Sequence, residues 1–171
     1  SNPLAFGSYV HDILEKTYNN TNPDISSQNI QKIANEFFGK YKCQFHESHY
    51  EIVKSQAIQA VSNYTSNNSL PQTNSIFEHG IKATLSEGVD LYGKVDRLEE
   101  FNDSVVVIDY KSGTTKTLNE WFLNAYGELQ MPFYALFASN KPMDGIAIGV
   151  INAAKPQWIG IGRDKDLLPG I

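Results

Sequence analysis

The stretch 93–113, GKVDRLEEFNDSVVVIDYKSG, decides the fold of this chain. Polar and apolar residues alternate over 89–98, as they do in a half-buried strand. Residues 101–104, Phe-Asn-Asp-Ser, have the composition of a turn, and the β-branched run 105–108 is typical of a buried central strand. The stretch therefore predicts two strands joined as a hairpin.

The predicted hairpin brings two carboxylates and an amine together. Asp96 lies on its first strand and Asp109 ends its second strand. Lys111 follows two residues later, which is one pleat, so we expect it on the same side as Asp109. Carboxylate oxygens are the hard ligands that Mg²⁺ and Mn²⁺ require, and a lysine can assist an attacking water or stabilise charge on a phosphate. The sequence therefore predicts a divalent-metal site for phosphate chemistry.

Four segments in order resemble the RecB-type branch of the PD-(D/E)xK nuclease superfamily. That branch carries Gly-x-hydrophobic-Asp-Arg, a hairpin and Asp-Tyr-Lys-(Ser/Thr)-Gly, which correspond here to GKVDR at 93–97 and DYKSG at 109–113. Upstream, GSYVHDILE at 7–15 resembles its Gly-x-x-x-His-x-x-Leu-Glu helix. Downstream, ELQMPFY at 128–134 resembles its Gln-x-x-x-Tyr helix. The resemblance spans about residues 4–150.

The resemblance implies an α/β fold with a restriction-endonuclease-like core, a central mixed β-sheet flanked by helices. It also implies a set of site residues. The implied ligands of Mg²⁺ or Mn²⁺ are His11, Asp96, Asp109 and the backbone carbonyl of Tyr110. The implied catalytic residues are Asp96, Asp109, Lys111, Gln130 and Tyr134. Glu78 precedes the Asp96 strand, where this branch often carries a glutamate.

The function implied by the resemblance is a divalent-metal-dependent deoxyribonuclease, acting as an exonuclease in recombination or repair. Its expected partners are DNA and other domains or subunits of a helicase–nuclease machine, as in AddB-like exonucleases. One alternative is a catalytically inactive DNA-binding or scaffolding domain that retains the nuclease fold. A second alternative is a metal-dependent hydrolase of small phosphoesters.

Several of these residues have simpler interpretations. His11 alone could be a surface histidine, and Glu15, one helical turn later, could orient it or be a solvated charge. Asp96 could pair with the adjacent Arg97, and Gln130 could be a solvated glutamine. Cys43 is predicted to pack within a helix.

Size and charge limit the classes of protein. The 171 residues, 41% hydrophobic, fit one domain over 1–171, which we expect to be a fragment of a larger protein. No apolar run is long enough to cross a bilayer, and no signal-peptide pattern opens the chain, so we expect a cytoplasmic protein without membrane contact. One cysteine cannot form the four-cysteine site of a [4Fe–4S] cluster, so no iron–sulfur cluster is expected in this fragment.

The net charge of −5 argues mildly against a free-standing nucleic-acid binder. Metal binding and a larger host protein would reduce this objection. The basic residues expected near the site are Lys94, Arg97, Lys111 and Lys116.

The hydrophobic periodicity predicts the order of the elements. Helices are expected at 4–18, after a cap at Ser26 or Ser27, at 51–64 and at 119–138, the last interrupted or kinked near Pro132. Strands are expected near 76–85, 89–99 and 105–110, with two more in 145–162. The buried stripe of the last helix is expected at Ala125, Leu129, Phe133 and Leu136.

Overall fold

The computed structural model describes residues 2–19, 23–67, 74–113, 129–151 and 157–164 of the chain. The helices are α1 (Pro3–Tyr18), α2 (Ser27–Tyr41), α3 (Tyr50–Asn67) and α4 (Gln130–Phe137), with short 3₁₀ turns at Lys42–Gln44 and Glu47–His49. The strands are β1 (Asn74–Ser86), β2 (Val89–Glu100), β3 (Val105–Lys111), β4 (Met143–Val150) and β5 (Gln157–Gly162). The predicted order of helices and strands is confirmed over these residues.

The chain divides into two compact units. The first comprises residues 1–69, 110–114 and 150–157, and the second comprises residues 70–109, 115–149 and 158–171. That residues 1–171 form one domain stays a prediction.

The first unit is built on three helices that pack on one another. The side chain of Ser26 accepts a hydrogen bond from the Asn29 N–H and so caps α2, as the sequence predicts. Tyr9 of α1 is fully buried, with its ring edge-on to Phe38 at 5.7 Å between centroids. Its hydroxyl donates to the carbonyl of Ala34 at 2.8 Å, so the buried phenol has its polar partner.

The second unit is built on the five-stranded sheet, whose strand order is β1-β2-β3-β4-β5. Strands β1, β2 and β3 are antiparallel neighbours. The N–H of Val105 bonds the carbonyl of Pro142, and the N–H of Ile151 bonds that of Lys111, so β3 and β4 run parallel. The N–H of Arg163 at the end of β5 bonds the carbonyl of Asp144 at the start of β4, which makes that pair antiparallel. The sheet is therefore mixed, and the predicted α/β class is confirmed.

Strand β3 is the centre of this sheet. Its first six residues are all buried, as the β-branched run predicted. The turn before it is closed by the Phe101 N–H, which donates to the carbonyl of Ser104 at 2.9 Å. The hairpin predicted between β2 and β3 is therefore present, and it fixes the register of the residues that follow.

One local prediction is wrong and another stays a prediction. Helix α4 begins at Gln130, two residues before Pro132, so the predicted interruption or kink near Pro132 depends on residues before the described helix. The part of the predicted helix at 119–128 lies outside the described residues. Cys43 does not pack in a helix: α2 ends at Tyr41, and Cys43 is exposed in the following 3₁₀ turn. Among the helices that the structure describes, none combines the length and the apolar character that a membrane crossing requires.

Candidate active site

The two candidate carboxylates lie where β2 and β3 stop pairing. The register runs from Glu100 opposite Val105 to Arg97 opposite Ile108. The next residue of each strand is Asp96 on β2 and Asp109 on β3, so the two aspartates occupy the next row of the sheet. Asp109 is buried, with 1% of its surface exposed, whereas Asp96 is partly exposed. The sequence correctly predicted that the hairpin would bring these two residues close together.

Helix α4 connects the two strands at this point. The Nε2 of Gln130 donates to Oδ1 of Asp109 at 3.0 Å and to the hydroxyl of Tyr134 at 2.7 Å. The hydroxyl of Tyr134 donates in turn to the backbone carbonyl of Lys94 on β2. One turn of helix separates Gln130 from Tyr134, which places both on one face. The two side chains therefore form a hydrogen-bonded bridge from β2 to the buried carboxylate of β3.

The electrostatics of Tyr134 report on both aspartates. Burial raises the pKa of Tyr134, and the negative charges of Asp109 and Asp96 raise it further, while the hydrogen bond from Gln130 acts in the opposite direction. The phenol therefore stays protonated, as its donation to the Lys94 carbonyl requires. The carboxyl groups on the two strands both lie near enough for their charge to act on this hydroxyl.

Gly93 lets α4 approach β2. A Cβ at this position would collide with the ring of Phe133 and would lie 3.3 Å from a ring carbon of Tyr134. A larger residue would push the helix away, and the Tyr134 hydroxyl would lose its reach to the neighbouring Lys94 carbonyl. The glycine of the GKVDR segment is thus explained by a close approach.

The buried face of α4 differs from the predicted one. Leu129 before the helix and Leu136 within it are 81% and 71% exposed, and Phe133 is only partly buried. The buried stripe instead consists of Met131, Tyr134 and Ala138 at the end of the helix. The segment is apolar on nearly every side, so periodicity alone could not select the face. Ala125 lies outside the described residues.

The first unit carries the other predicted site residues. His11 of α1 lies edge-on to the ring of Tyr110, with 6.0 Å between ring centroids. Tyr110 is 2% exposed and also contacts Tyr64 of α3 at 5.6 Å. A Cβ on Gly7 would lie 2.9 Å from Oγ of Ser112, so the glycine of the first motif also permits a close approach. Helix α1 therefore places His11 beside the residue that follows Asp109 in sequence.

Lys111 ends β3 in the same unit. Its side chain is partly buried, and its carbonyl accepts a hydrogen bond from the N–H of Ile151 at 2.8 Å. This bond fixes the backbone of the strand end that carries the lysine. Strand β3 runs unbroken from Asp109 to Lys111, and the expected placement of both side chains on one side of the strand stays a prediction.

Arg97 does not serve the site in the way expected of a nearby basic residue. Its Nε donates to Oε1 of Glu99, two residues along β2, and both side chains are buried. The hydroxyl of Ser75 on β1 also donates to Oε1 of Glu99, at 2.7 Å. Arg97 and Glu99 lie two residues apart on the strand and so point to the same face of the sheet, an alternation that the sequence could have indicated. A pairing of Asp96 with Arg97 stays an alternative interpretation.

Glu78 has an unusual backbone. Its φ is +52°, a conformation that residues other than glycine rarely adopt in a strand. The β1–β2 register pairs Phe77 with Arg97 and His79 with Val95, so Glu78 lies between these pairs, level with Asp96. Its carboxylate forms an ion pair with Nζ of Lys94. Lys94 therefore makes two contacts near the site, the ion pair with Glu78 and the hydrogen bond that its carbonyl accepts from Tyr134. Neither contact is visible in the local sequence.

Comparison with known proteins identifies the family of the chain. The family model of the PD-(D/E)XK nuclease superfamily matches residues 1–157. The chain belongs to this superfamily. A solved structure titled "Crystal structure of SSO0001" is similar over 94% of this chain and 78% of its own, at 11% sequence identity and a TM-score of 0.35. No curated protein matches the chain.

Membership of the PD-(D/E)XK superfamily identifies the chain as a nuclease-type hydrolase, and such nucleases generally use divalent metal ions. Within the described residues, no group of three or more His, Cys, Asp or Glu side chains is gathered as a metal site. Mg²⁺ does not need such a group, because it keeps several waters and is held by one or two carboxylates together with substrate phosphates. The carboxylates of Asp96 and Asp109 supply that number of hard oxygen donors, so the residues fit a small divalent cation.

The bond from Gln130 to Asp109 leads to a prediction for this PD-(D/E)XK protein. Gln130→Ala should slow nucleic-acid cleavage by about 10–100-fold, the range typical when a partner that orients a metal ligand is removed. The melting temperature should change little, because Gln130 lies outside the stripe of Met131, Tyr134 and Ala138. Cleavage rate and thermal unfolding of the same preparation check this. An unchanged rate would remove Gln130 from the site.

Proposed function

We propose that this chain is a divalent-metal-dependent deoxyribonuclease of RecB type that hydrolyses phosphodiester bonds as an exonuclease. The observation that carries the proposal is the row of Asp96 and Asp109 at the point where β2 and β3 stop pairing, with Asp109 oriented by Gln130. A buried carboxylate is costly unless it is hydrogen-bonded and its charge is compensated. A divalent cation would provide that compensation and would at the same time recruit a phosphate.

The ligands that we propose are the carboxylates of Asp96 and Asp109, the backbone carbonyl of Tyr110 and the imidazole of His11. Support for the carboxylates comes from their shared row and from their joint effect on the pKa of Tyr134. Support for His11 is its ring contact with Tyr110. Mg²⁺ and Mn²⁺ both favour such carboxylate and carbonyl donors.

A bound divalent cation would polarise the scissile phosphate and lower the pKa of the attacking water. Asp109 would hold its carboxylate in a fixed direction, because Gln130 restrains Oδ1 at 3.0 Å. Lys111, two residues along the strand, would bring an ammonium to the reacting phosphate, where it can accompany the attack or stabilise the charge that develops. Tyr134 would maintain the spacing of β2 and β3 through the Lys94 carbonyl.

The role in recombination or repair, and the association with other domains or subunits of a helicase–nuclease machine, are parts of the same proposal. They rest on the resemblance of the four sequence segments to the RecB-type branch. The net charge of −5 fits such an association. Affinity for DNA comes largely from basic side chains that contact phosphates, and other domains would supply many of these contacts. The cytoplasmic location stays a prediction.

The experiment that tests the function is digestion of DNA labelled at one end, single- and double-stranded, with Mg²⁺, Mn²⁺ or EDTA. An exonuclease releases the labelled mononucleotide or shortens all products progressively, whereas an endonuclease gives internal fragments first. We expect degradation from an end, abolished by EDTA. Binding of DNA without any cleavage in Mg²⁺ or Mn²⁺ would favour the inactive DNA-binding domain instead.

A second prediction concerns metal and stability. The charges of Asp96 and Asp109 repel one another without a cation, and a ligand that binds only the folded state stabilises it by mass action. At a Mn²⁺ concentration about ten times its Kd, the gain is about 1.4 kcal/mol, or a melting temperature raised by about 3–6 °C. Thermal unfolding with and without Mn²⁺ measures this shift.

The matched variants for that measurement are a double and a single replacement. Asp96→Asn/Asp109→Asn should show no Mn²⁺ shift, whereas Asp103→Asn, in the exposed turn between β2 and β3, should shift like the wild type. If the double variant shifts as much as the wild type, the cation binds elsewhere on the protein.

A further inference from the structure

Strands β1 and β2 extend beyond the third strand of the sheet. They pair with each other from Asn74 and Glu100 as far as Ser86 and Val89, whereas β3 pairs with β2 only over residues 97–100. We call residues 79–95 the β1–β2 arm. Within the described residues, no third strand pairs with it. The arm begins at the row next to Asp96, so it leads away from the candidate active site.

The two faces of the arm have different characters. On one face Ile81, Ala83 and Val95 are buried, and α4 packs near Gly93. The other face is formed by three cross-strand pairs whose side chains are polar or absent. These pairs are Gly80 with Lys94, Lys82 with Tyr92, and Thr84 with Asp90. We call this second surface the polar face of the arm, and all six of its residues are exposed.

Lys94 begins the polar face on β2. It lies two residues before Asp96, or about 7 Å along the strand. Its carbonyl is held by the hydroxyl of Tyr134, while its side chain is 59% exposed. Gly80 opposite has no side chain, and a Cβ there would meet nothing within 4 Å. A fixed backbone, an exposed ammonium and open space beside it suit a phosphate adjacent to the one at the metal site.

Tyr92 continues the face two residues further from the aspartates. The residue is 72% exposed, so most of its aromatic surface lies in solvent. Nζ of Lys82 lies 5.5 Å from the centroid of its ring and also forms an ion pair with Asp90 at 2.8 Å. The hydroxyl of Tyr92 contacts Asp90 at 3.3 Å. These contacts restrain an aromatic ring that remains open to solvent.

The carboxylates that pair with the two lysines of the arm do not prevent these lysines from binding a phosphate. Glu78 pairs with Lys94 and Asp90 pairs with Lys82, each lysine side chain being more than half exposed. Ion pairs at such exposure contribute little to stability and are screened by salt. A DNA phosphate can therefore replace a carboxylate as the partner of either lysine. The pairs hold both ammonium groups on the polar face until then.

We propose that the polar face of the β1–β2 arm binds single-stranded DNA and directs its end to the candidate metal site. Lys94 and Lys82 contact phosphates, and Tyr92 stacks on a base. Alternating cations and an exposed aromatic ring are the features by which proteins hold single strands without reading their sequence. Bases in a duplex are stacked on each other, so Tyr92 selects single strands. This inference rests on the proposed function for the direction of the strand, but not for the binding itself.

The test is fluorescence anisotropy of a labelled 20-nucleotide oligo-dT with the full chain in EDTA. Tyr92→Ala should bind about tenfold more weakly, within the range typical of losing one stacked base, whereas Tyr92→Phe keeps the ring and should bind like the wild type. Lys94→Gln should reduce the dependence of log K on log salt by about 0.7, the value for one phosphate contact on a single strand. Lys32→Gln, which removes a lysine of α2 whose side chain is 74% exposed, against 59% for Lys94, is the matched control and should change neither quantity.

The outcomes separate the arm from the nuclease. The proposal would be overturned if Tyr92→Ala bound oligo-dT as tightly as the wild type, or if Tyr92→Phe lost as much affinity as Tyr92→Ala. It would also be overturned if Tyr92→Ala lost as much affinity for duplex DNA as for oligo-dT, or lost affinity only for oligo-U. If the wild type binds through Tyr92 but never cleaves, the proposed function fails and the arm proposal stands. If cleavage depends on Asp109 while Tyr92→Ala binds oligo-dT normally, the arm proposal fails and the proposed function stands.

Discussion

Asp109→Ala is expected to abolish DNA cleavage, with a fall in rate of roughly 10³-fold or more. The cation contributes several kcal/mol of charge stabilisation in the transition state, and each 1.36 kcal/mol corresponds to a factor of ten in rate. Asp109 is the buried carboxylate of the pair and the one that Gln130 orients. Initial rates on end-labelled DNA with Mg²⁺ or Mn²⁺ measure the effect.

The variant should still fold, because it removes one of two neighbouring like charges from the sheet. Circular dichroism and the melting temperature of the same sample establish this. Asp103→Ala, which removes an aspartate from the exposed turn preceding β3, is the matched control and should cleave normally. A folded Asp109→Ala protein that cleaves at the wild-type rate would refute the metal mechanism.

Lys111→Ala should also abolish cleavage, but it should leave the Mn²⁺ stabilisation in place. In the proposed mechanism the ammonium would act on the phosphate and the attacking water, whereas the carboxylates would bind the cation. The two variants thus separate catalysis from metal binding. Loss of the Mn²⁺ shift in Lys111→Ala would mean that the lysine is needed to build the site.

The core of the fold was predictable because its signals are local. The alternation over 89–98, the turn at 101–104 and the β-branched run at 105–108 each indicate one element, and their order leaves only a hairpin. The register then places Asp96 and Asp109 in one row. Two carboxylates that are 13 residues apart, on consecutive strands, thus become neighbours through short-range geometry alone.

Helix α4 shows where such signals end. Its eight residues, QMPFYALF, contain one strongly polar side chain, so no polar face marks the side exposed to solvent. The sequence indicated a stripe through Leu129 and Leu136, but tertiary packing buries Met131 and Tyr134 instead. The expected contact of Gln130 with the substrate backbone or Lys111 stays a prediction, and the structure adds hydrogen bonds to Asp109 and to the Tyr134 hydroxyl. The partners of this side chain depend on where the helix packs, which local periodicity does not determine.

Arg97 was the least predictable residue of the motif. It follows Asp96 directly, which suggested a basic group at the site, yet strand alternation puts it beside Glu99. Its side chain and that of Glu99 are 7% and 2% exposed. The guanidinium also lies 5.5 Å from the ring centroid of Phe77 on β1. This guanidinium, expected only as one of the basic groups near the site, is buried in the sheet.

The largest effect on stability is expected from Arg97→Met. Removing one partner of a buried ion pair leaves the other charge uncompensated, which typically costs 3–5 kcal/mol, about half of the total stability of many domains. Glu99 would keep the hydrogen bond from Ser75 at 2.7 Å but would lose the charge that balances it. Urea denaturation of the full chain measures the loss as a lower midpoint.

The double variant Arg97→Met/Glu99→Met tests the cause of that loss. Replacing both charges of a buried pair with apolar side chains is often neutral or stabilising, so the double variant should regain most of the stability. Lys32→Met, which breaks the exposed pair with Glu36 on α2, should cost no more than about 0.5 kcal/mol. If the double variant is as unstable as Arg97→Met, the arginine stabilises β2 through its packing on Phe77 and not through the charge of Glu99. Asp96 directly precedes Arg97 on β2. In that case Arg97 would affect the site only through its packing on Phe77, which supports the strand that carries Asp96.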